Sequence, residues 1–523
     1  MSRIRGIGLA AIMAVIVALV AAGCGSSSSS GGSGGTIIRG TTDQPVSYDP
    51  AGAYDLPSYD GIYAMYQNLL TVPPGEAKAV PEAAENCEFT DSKNTIYECT
   101  MRDGLKFSDG SPLTADSVVY SFDRNIKIAD PNGASSLLAN MKDVKAEGNK
   151  VIFTLKEPDA TWPLLLTTGS FGIVPESYPA DKLQPSDQVV GSGRYTLAQY
   201  SPGQQTVLKA NPDYDGTDPP ENDTVINQYF DKASALKLAV EQGDVDIAYR
   251  SLSPTDIDSL RDADGVNVVQ GNGTEIRYLV FNTKLQPGDD DAQKLAIRQA
   301  AAQVIDRQAI ADNVYNGTVD PLYSMIPVGL DYHQDAFADK YGEEPNVDAA
   351  KKALSDAGVK TPVPLEVWWT PSHYGASSGD EYAEIKRQLD GSGLFDVTLK
   401  STEWNQYSTS AFTDKYPTYQ LGWFPDYPDA DDYTASFYSK DSFLNDHYSN
   451  PEMEKLLAQE KASTDTAERQ QAFTKIQDIG AQDAPTIPVW QGKQIAAAQD
   501  TIHGIEETFD PSFIFRYWLI TKD

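Results

Sequence analysis

Histidine and cysteine are the scarcest reactive side chains in this chain of 523 residues, with four and three copies. His333, His373, His447 and His503 are scattered and offer no H-x-x-H or H-E-x-x-H pair, which argues against a histidine-built metal centre. No G-x-x-x-x-G-K-[ST] loop is present and no G-x-S-x-G elbow stands out, so the commonest signatures of nucleotide and ester chemistry are missing. Positive charge is short as well: 41 Lys and Arg face 75 Asp and Glu, a net charge of −34. Phosphate binding needs a basic face, so no nucleic-acid role is expected. What is present is enough for real cores. Hydrophobic residues make up 40% and aromatics 10%, which excludes wholesale disorder. At about 100–200 residues per domain, the length predicts two to four domains or large interdigitated lobes.

The N-terminus reads as an export signal. Arg3 and Arg5 precede an uncharged run from Gly6 to Gly23, and Ala21-Ala22-Gly23-Cys24 is a small-residue cleavage site ending in cysteine. A run of this length just reaches across a bilayer, but the Gly/Ser tract Gly25–Gly35 that follows suits a leash better than a spanning helix. The arrangement resembles the lipobox of bacterial lipoproteins, with Ala21 where Leu is commoner. It implies lipidation of Cys24, which tethers the protein rather than threading it through the membrane. The leash reaches roughly 15–20 Å on average, and the folded part is expected to begin near Thr36.

Cys87 and Cys99 remain as a pair. Asp91-Ser92-Lys93-Asn94 is turn chemistry between two short β-rich runs, Cys87–Phe89 and Thr95–Thr100, so a hairpin centred near Lys93 sets the cysteines opposite each other. An exported protein meets oxidising conditions, and a structural disulfide is predicted. Along the rest of the chain helix-like and strand-like segments alternate, the pattern of an α/β or α+β fold. Thr114 caps a helix with Val118, Val119, Phe122 and Ile126 on one face. A second helix is read over residues 291–315, and a third begins at Asn346 and stops at Gly358. Strands are expected at Val151–Leu155, Thr206–Leu208, Ile276–Phe281 and Leu365–Trp368.

Several segments carry a resemblance. They are YECTMRDGLKFSDGSPLTADSVVYSFDR (Tyr97–Arg124), VVGSGRYTLAQYSPGQQTVLKANPDYDG (Val189–Gly216), ALKLAVEQGDVDIAY (Ala235–Tyr249), RYLVFNTK (Arg277–Lys284), AIRQAAAQVIDRQAI (Ala296–Ile310) and QDAPTIPVW (Gln482–Trp490). In this order they resemble the large extracytoplasmic solute-binding proteins of the peptide/nickel transporter class, solute-binding family 5, over nearly everything from Thr36 onward. The resemblance implies an α/β fold of the periplasmic-binding-protein type II, with two lobes around a hinge cleft and an extra domain in the first lobe. The implied division is a signal peptide at 1–23, the lipidated cysteine and linker at 24–35, the first lobe at 36–68, 183–282 and 494–523, the extra domain at 69–182, and the second lobe at 283–493.

The ligand region is expected in EWNQYSTSAFTDKYPTYQLGWFPDYPDADDY, Glu403–Tyr433, a proline-interrupted stretch dense in aromatics and carboxylates. Rigid aromatics bury area at low entropic cost, and a desolvated carboxylate gives one strong directional contact. In the oligopeptide and dipeptide binders a G-W-x-x-D pattern sets its aspartate on the ligand's α-ammonium. The resemblance therefore implies that Asp426 meets an ammonium, that the backbones of Gly422 and Phe424 pair with an extended peptide, that Trp423 and Trp404 wall the pocket, and that Leu56 offers backbone from the first lobe. Asp429, Asp431 and Asp432 are read as solvated, the last as a possible helix cap. Gln420 stands where one branch has an arginine for the ligand's carboxylate; Arg250 and Arg277 are alternatives for that end. The implied protein is no enzyme. It is a monomeric, lipid-anchored receptor on the outer face of the cytoplasmic membrane, without cofactor or metal, that passes peptides to the transmembrane subunits of an ABC permease. The competing readings are an oligosaccharide or nickel-chelate binder of the same fold, an exported glycosidase using paired carboxylates, and a ligand sensor.

Overall fold

The computed structural model describes residues 35–250, 252–371 and 373–523. The signal segment, Cys24 and the linker up to residue 34 lie outside the described residues, and among the described ones no helix is long and apolar enough to cross a membrane.

Two long strands organise the molecule. Val266–Phe281 and Thr486–Gln499 run antiparallel, and their register shifts between Asn272 and Ile276. The sequence there is Gly271-Asn272-Gly273, facing Gly492. A Cβ at Gly273 would lie 2.5 Å from the Gly492 carbonyl oxygen, so the two backbones cross at a distance only glycine permits. On one side of the crossing the sheet continues through Ile247–Tyr249, Thr36–Thr41, Thr224–Tyr229, Gln205–Ala210 and Tyr195–Ser201. On the other it continues through Thr418–Trp423, Val363–Trp369 and Phe395–Ser401. With Val319–Pro321 paired on Thr486–Gln499, the result is one eleven-stranded sheet shared by two lobes.

The second lobe shows why its strand is a continuous apolar run. Along Ile276–Phe281 every residue is buried. Leu279 and Phe281 enter one cluster with Ile297, Ala301 and Leu389, while Ile276, Tyr278 and Val280 enter another with Phe437, Leu456 and Phe473. Helices cover both faces, so the period-two alternation sorts residues between two cores rather than between core and water.

The extra domain is a separate four-stranded antiparallel sheet in the order Ala84–Phe89, Ile96–Met101, Lys150–Leu155, Met141–Glu147. Cys87 faces Cys99 in register and the two are joined by a disulfide. Helix Ala115–Ile128 packs on this sheet, opened by the reciprocal hydrogen bonds of Thr114 and Ser117. Phe122 meets Phe153 edge-on at 5.0 Å, and truncating such a side chain costs about 3–5 kcal/mol.

Two sequence expectations are corrected. Ile126 does not share the buried face and is 46% exposed, because the inward arc runs through Ala115, Val118, Phe122 and Asn125. Residues 291–315 form two helices, Asp291–Val304 and Arg307–Asn313. Asp306 breaks them by accepting the Ala309 N–H as a new N-cap.

Candidate functional site

The strand Thr418–Trp423 reaches the crossing point. One edge pairs with Val266–Phe281, setting Gly422 opposite Arg277 and Trp423 opposite Ile276. Its other edge is paired only at Tyr419, with Trp368. Beyond that point the edge has no strand partner among the described residues. Pro425 cannot donate to a ladder and pushes Phe424 toward extended backbone, so the strand gives way to a loop there. Asp429 then caps the short 3-10 helix Ala430–Tyr433 by accepting the Asp431 N–H at 2.8 Å.

Asp426 sits in this loop, half-buried, with hydrogen bonds that span the lobes. The Tyr54 hydroxyl of the first lobe donates to its carboxylate, and the Thr168 hydroxyl donates to its carbonyl at 3.0 Å. Its own N–H donates to Asp432 Oδ2 at 3.0 Å, and the Trp423 indole N–H donates to that same oxygen at 2.9 Å. Burial pushes the Asp426 carboxyl up to about 6, against the lowering effect of the Tyr54 bond. Burial, and after it repulsion from Asp426, raise Asp432 well above the ordinary carboxylate range. Neither carboxylate has a salt-bridge partner among the described residues. Leu56, Tyr59, Tyr63, Pro425, Asp426 and Phe513 line a narrow cleft here, with room of about 20 Å³, partly open to solvent.

The same loop grips the rest of the molecule. Phe424 meets Phe513 edge-on at 5.4 Å, with the Arg250 guanidinium 5.2 Å from its ring. Tyr427 is buried within the hydrophobic cluster of the extra domain, and its hydroxyl donates to Asp431 at 2.8 Å.

The residues singled out in the sequence fall into linked groups. Asp426 and Leu56 line the cleft; Leu56 heads helix Leu56–Met65, whose cap is Asp55. Trp423 packs against Phe437 and Phe443, at 5.4 and 5.2 Å, and reaches Asp426 through Asp432. Trp404 stacks on His373 at 3.6 Å and meets Tyr374 at 5.6 Å. Tyr374 lies 4.1 Å over the Arg277 guanidinium, whose Nη1 would be only 1.9 Å from a Cβ on Gly422. Gly422 is thus the space in which Arg277 lies. Arg277 is buried, held by Glu275 at 2.5 Å, with its Nε unpartnered. Arg250 pairs with Asp43 at 3.5 Å. Gln420 is a core residue: its amide is spent on Ser378 at 2.9 Å and the Thr370 N–H at 3.4 Å.

The solvated reading of Asp429, Asp431 and Asp432 is overturned, since all three are buried. Asp429 takes both arms of Arg469, at 2.9 and 2.6 Å, and is itself the helix cap expected of Asp432. Asp431 holds Tyr427 and faces Lys461 at 3.7 Å. Every residue from Tyr427 to Thr434 is buried, so this loop is packed on all sides rather than free. Tyr54, two residues before Leu56, and Thr168 were not read from the sequence as site residues.

Comparison with known proteins adds the following. The family described as bacterial extracellular solute-binding proteins, family 5 Middle, matches residues 78–445. A dipeptide-binding protein of Pseudomonas aeruginosa is 23% identical, over 88% of this chain and 90% of its own length. Among solved structures, the ABC transporter substrate-binding protein CtaP of Listeria monocytogenes superposes with a TM-score of 0.80 at 24% identity, covering 94% of this chain and 99% of that one. The periplasmic binding protein DppA of Helicobacter pylori, solved with the peptide STSA, gives 0.76 at 19% identity, with coverage of 94% and 98%.

Proposed function

Since the chain belongs to the bacterial extracellular solute-binding proteins of family 5, we propose that it captures peptides between its lobes and delivers them to the membrane subunits of an ABC importer. The observation that carries this reading is the Asp426 carboxylate. It faces the interlobe cleft, is bound by Tyr54 of the opposite lobe, and has no cation of its own among the described residues. A ligand ammonium supplies the missing charge. After Tyr419 this edge has no strand partner among the described residues, only hydroxyls of Tyr407 on Gln420 and Tyr374 on Gly422, so a peptide backbone that displaces or passes them has a strand to pair with whatever its side chains. The relatives named for dipeptides and for a bound peptide point the same way.

The lobe division read from the sequence belongs to this proposal, with Arg277 or Arg250 as the cation for a ligand's far end. So do anchoring through Cys24 at the outer face of the cytoplasmic membrane and a monomeric state. The saccharide alternative is disfavoured by how the tryptophans are used. Trp404 has one face taken by His373, and Trp423 has one face against Phe443 and its indole N–H committed to Asp432. Mass spectrometry of small molecules released by denaturing the purified mature protein tests the reading. Masses that fragment into amino-acid residues are expected, and a ladder of hexose or pentose units overturns it.

A further inference from the structure

The loop holds a second carboxylate that family resemblance did not assign a role. Asp432 is 2% exposed and uses one oxygen twice, taking the Asp426 N–H at 3.0 Å and the Trp423 indole N–H at 2.9 Å. Those two donors flank Phe424-Pro425, so a single acceptor ties the end of the strand to the start of the loop. The groups that face Asp432 are Asp426 and Asp431 of its own loop and the phenols Tyr427, Tyr433 and, from the first lobe, Tyr54. None is a cation. The cations of the loop network are directed elsewhere, Lys461 at Asp431 and Asp159 and Arg469 at Asp429 and Glu460.

We propose that Asp432 is the positioning residue of the ligand site: it fixes Asp426 and Trp423 in one geometry, and the carboxylate pair it forms with Asp426, left without a cation, makes the site select ligands that bring one. This rests on the reading of Asp426 as the partner of a ligand ammonium. The chemistry follows from having a buried and a half-buried carboxylate linked in one loop with no ion-pair partner among the described residues. The empty site is stabilised when a proton is held on one of them. When a ligand ammonium docks against Asp426, that proton leaves to solvent and the ammonium takes over its charge. Ligand and proton therefore compete, and an N-acylated ligand, which has no charge to exchange, is excluded.

Asp432→Asn keeps an acceptor for both donors and removes the charge; Asp432→Ala removes both. The first measurement needs no ligand: melting temperature between pH 4 and 8 for the wild type, Asp426→Asn, Asp432→Asn and the double variant. The pH-dependent part of the Asp426 contribution is expected to move to lower pH in Asp432→Asn, so that the two substitutions are non-additive. A uniform drop in melting temperature at every pH, with additive effects, reduces Asp432 to a structural residue and overturns the proposal. The second measurement is calorimetric binding of trialanine and N-acetyltrialanine. The wild type is expected to prefer the free amine, and Asp432→Asn to lose about tenfold or more of that preference. In Asp432→Ala, Trp423 fluorescence is expected to become more quenchable as well, and an unchanged preference in both variants overturns the proposal. If the wild type makes no distinction between the two probes, the ammonium reading of Asp426 fails, while the melting profiles still decide the coupling of the two carboxylates.

Discussion

Two sets of carboxylates share one loop and are treated in opposite ways. Asp429 is held by both arms of Arg469, which also reaches Glu460 at 3.0 Å, and Asp431 lies within 3.7 Å of Lys461. Asp426 and Asp432, on either side of them, meet hydroxyls, an indole and a backbone N–H but no cation. Burying a charge is costly unless it is paired. The first set meets that cost within the protein and belongs to the fold. The second set leaves it unmet at the edge of a cleft, which is how a binding site differs from a structural ion-pair network built of the same residue type. The difference lies not in the aspartates but in which helices pass behind them: Pro451–Ala462 and Thr466–Asp483 carry Lys461 and Arg469 to one side of the loop only.

The comparison breaks most severely at Arg469. In Arg469→Met, Asp429 and Glu460 lose their common partner while staying buried, and a loss of about 3–5 kcal/mol in unfolding free energy is expected from denaturant titration. The ligand site should be affected only through the loop it holds. A loss below about 1 kcal/mol, the range of exposed pairs, would mean that the cluster is not a buried network.

Asp426→Asn should act in two directions at once. Ligand affinity is expected to fall by about 2–5 kcal/mol, as for one partner removed from a buried charged pair. The ligand-free protein is expected to become more stable at neutral pH. The folded-state value of Asp426, about 6, lies above the unfolded value near 3.8, so folding takes up protons in that interval. Its contribution is fully favourable below about 3.8 and is lost as pH rises through about 6. The amide has no such dependence. Melting profiles of the two proteins without ligand should therefore converge below about 3.8, diverge between there and about 6, and stay apart at higher pH, with the variant higher. For the wild type with peptide the sign reverses: affinity should weaken as pH drops below about 6, where protonation removes the charge that meets the ammonium. Overlapping profiles across the range would mean that Asp426 is hydrated and ordinary.

How much of this was legible in the sequence depended on whether a signal was local. The hairpin of Cys87 and Cys99, the Thr114 and Asn346 caps and the strand ending in Phe281 were all readable, because turn chemistry, capping and apolar runs act within a few residues. The long strands were harder. Ile276–Phe281 is only the last part of Val266–Phe281, whose middle is interrupted by Gly271, Asn272 and Gly273. Such residues read as a turn, and only the partner strand with Gly492 shows that they mark a close crossing. Asp426 came from its place in a motif. The fates of Asp429, Asp431 and Asp432 could not, because they are fixed by Arg469, Lys461 and Trp423, and nothing in a run of D-A-D-D says which of its members will meet a cation. Tyr54 was out of reach for the same reason, its partner lying 372 positions away.

The smallest effect is expected at Lys461, and it is the most telling about closure. The last turn of helix Pro451–Ala462 is completed by the extra domain rather than by neighbouring residues: the Lys461 carbonyl accepts the Ala160 N–H at 2.7 Å and the Ala462 carbonyl accepts the Asn94 amide at 3.0 Å. The Lys461 ammonium adds looser contacts, 3.9 Å to Asp159 and 3.7 Å to Asp431, and is partly exposed. Lys461→Met removes only these, but it leaves Asp431 buried without its cation, so a loss of about 1–3 kcal/mol in unfolding free energy is expected, below that at Arg469 because the contacts are long. The contact with Asp159 joins the second lobe to the extra domain and exists only while the two are together. Ligand that binds the closed arrangement must then supply what the ammonium no longer does, and apparent peptide affinity should fall about two- to fivefold with the site itself untouched. Small-angle scattering without ligand should report a more expanded average shape. Unchanged scattering and affinity alongside a lowered melting temperature would make Lys461 part of the same structural network as Arg469, and the contrast within the loop would then rest on Asp426 and Asp432 alone.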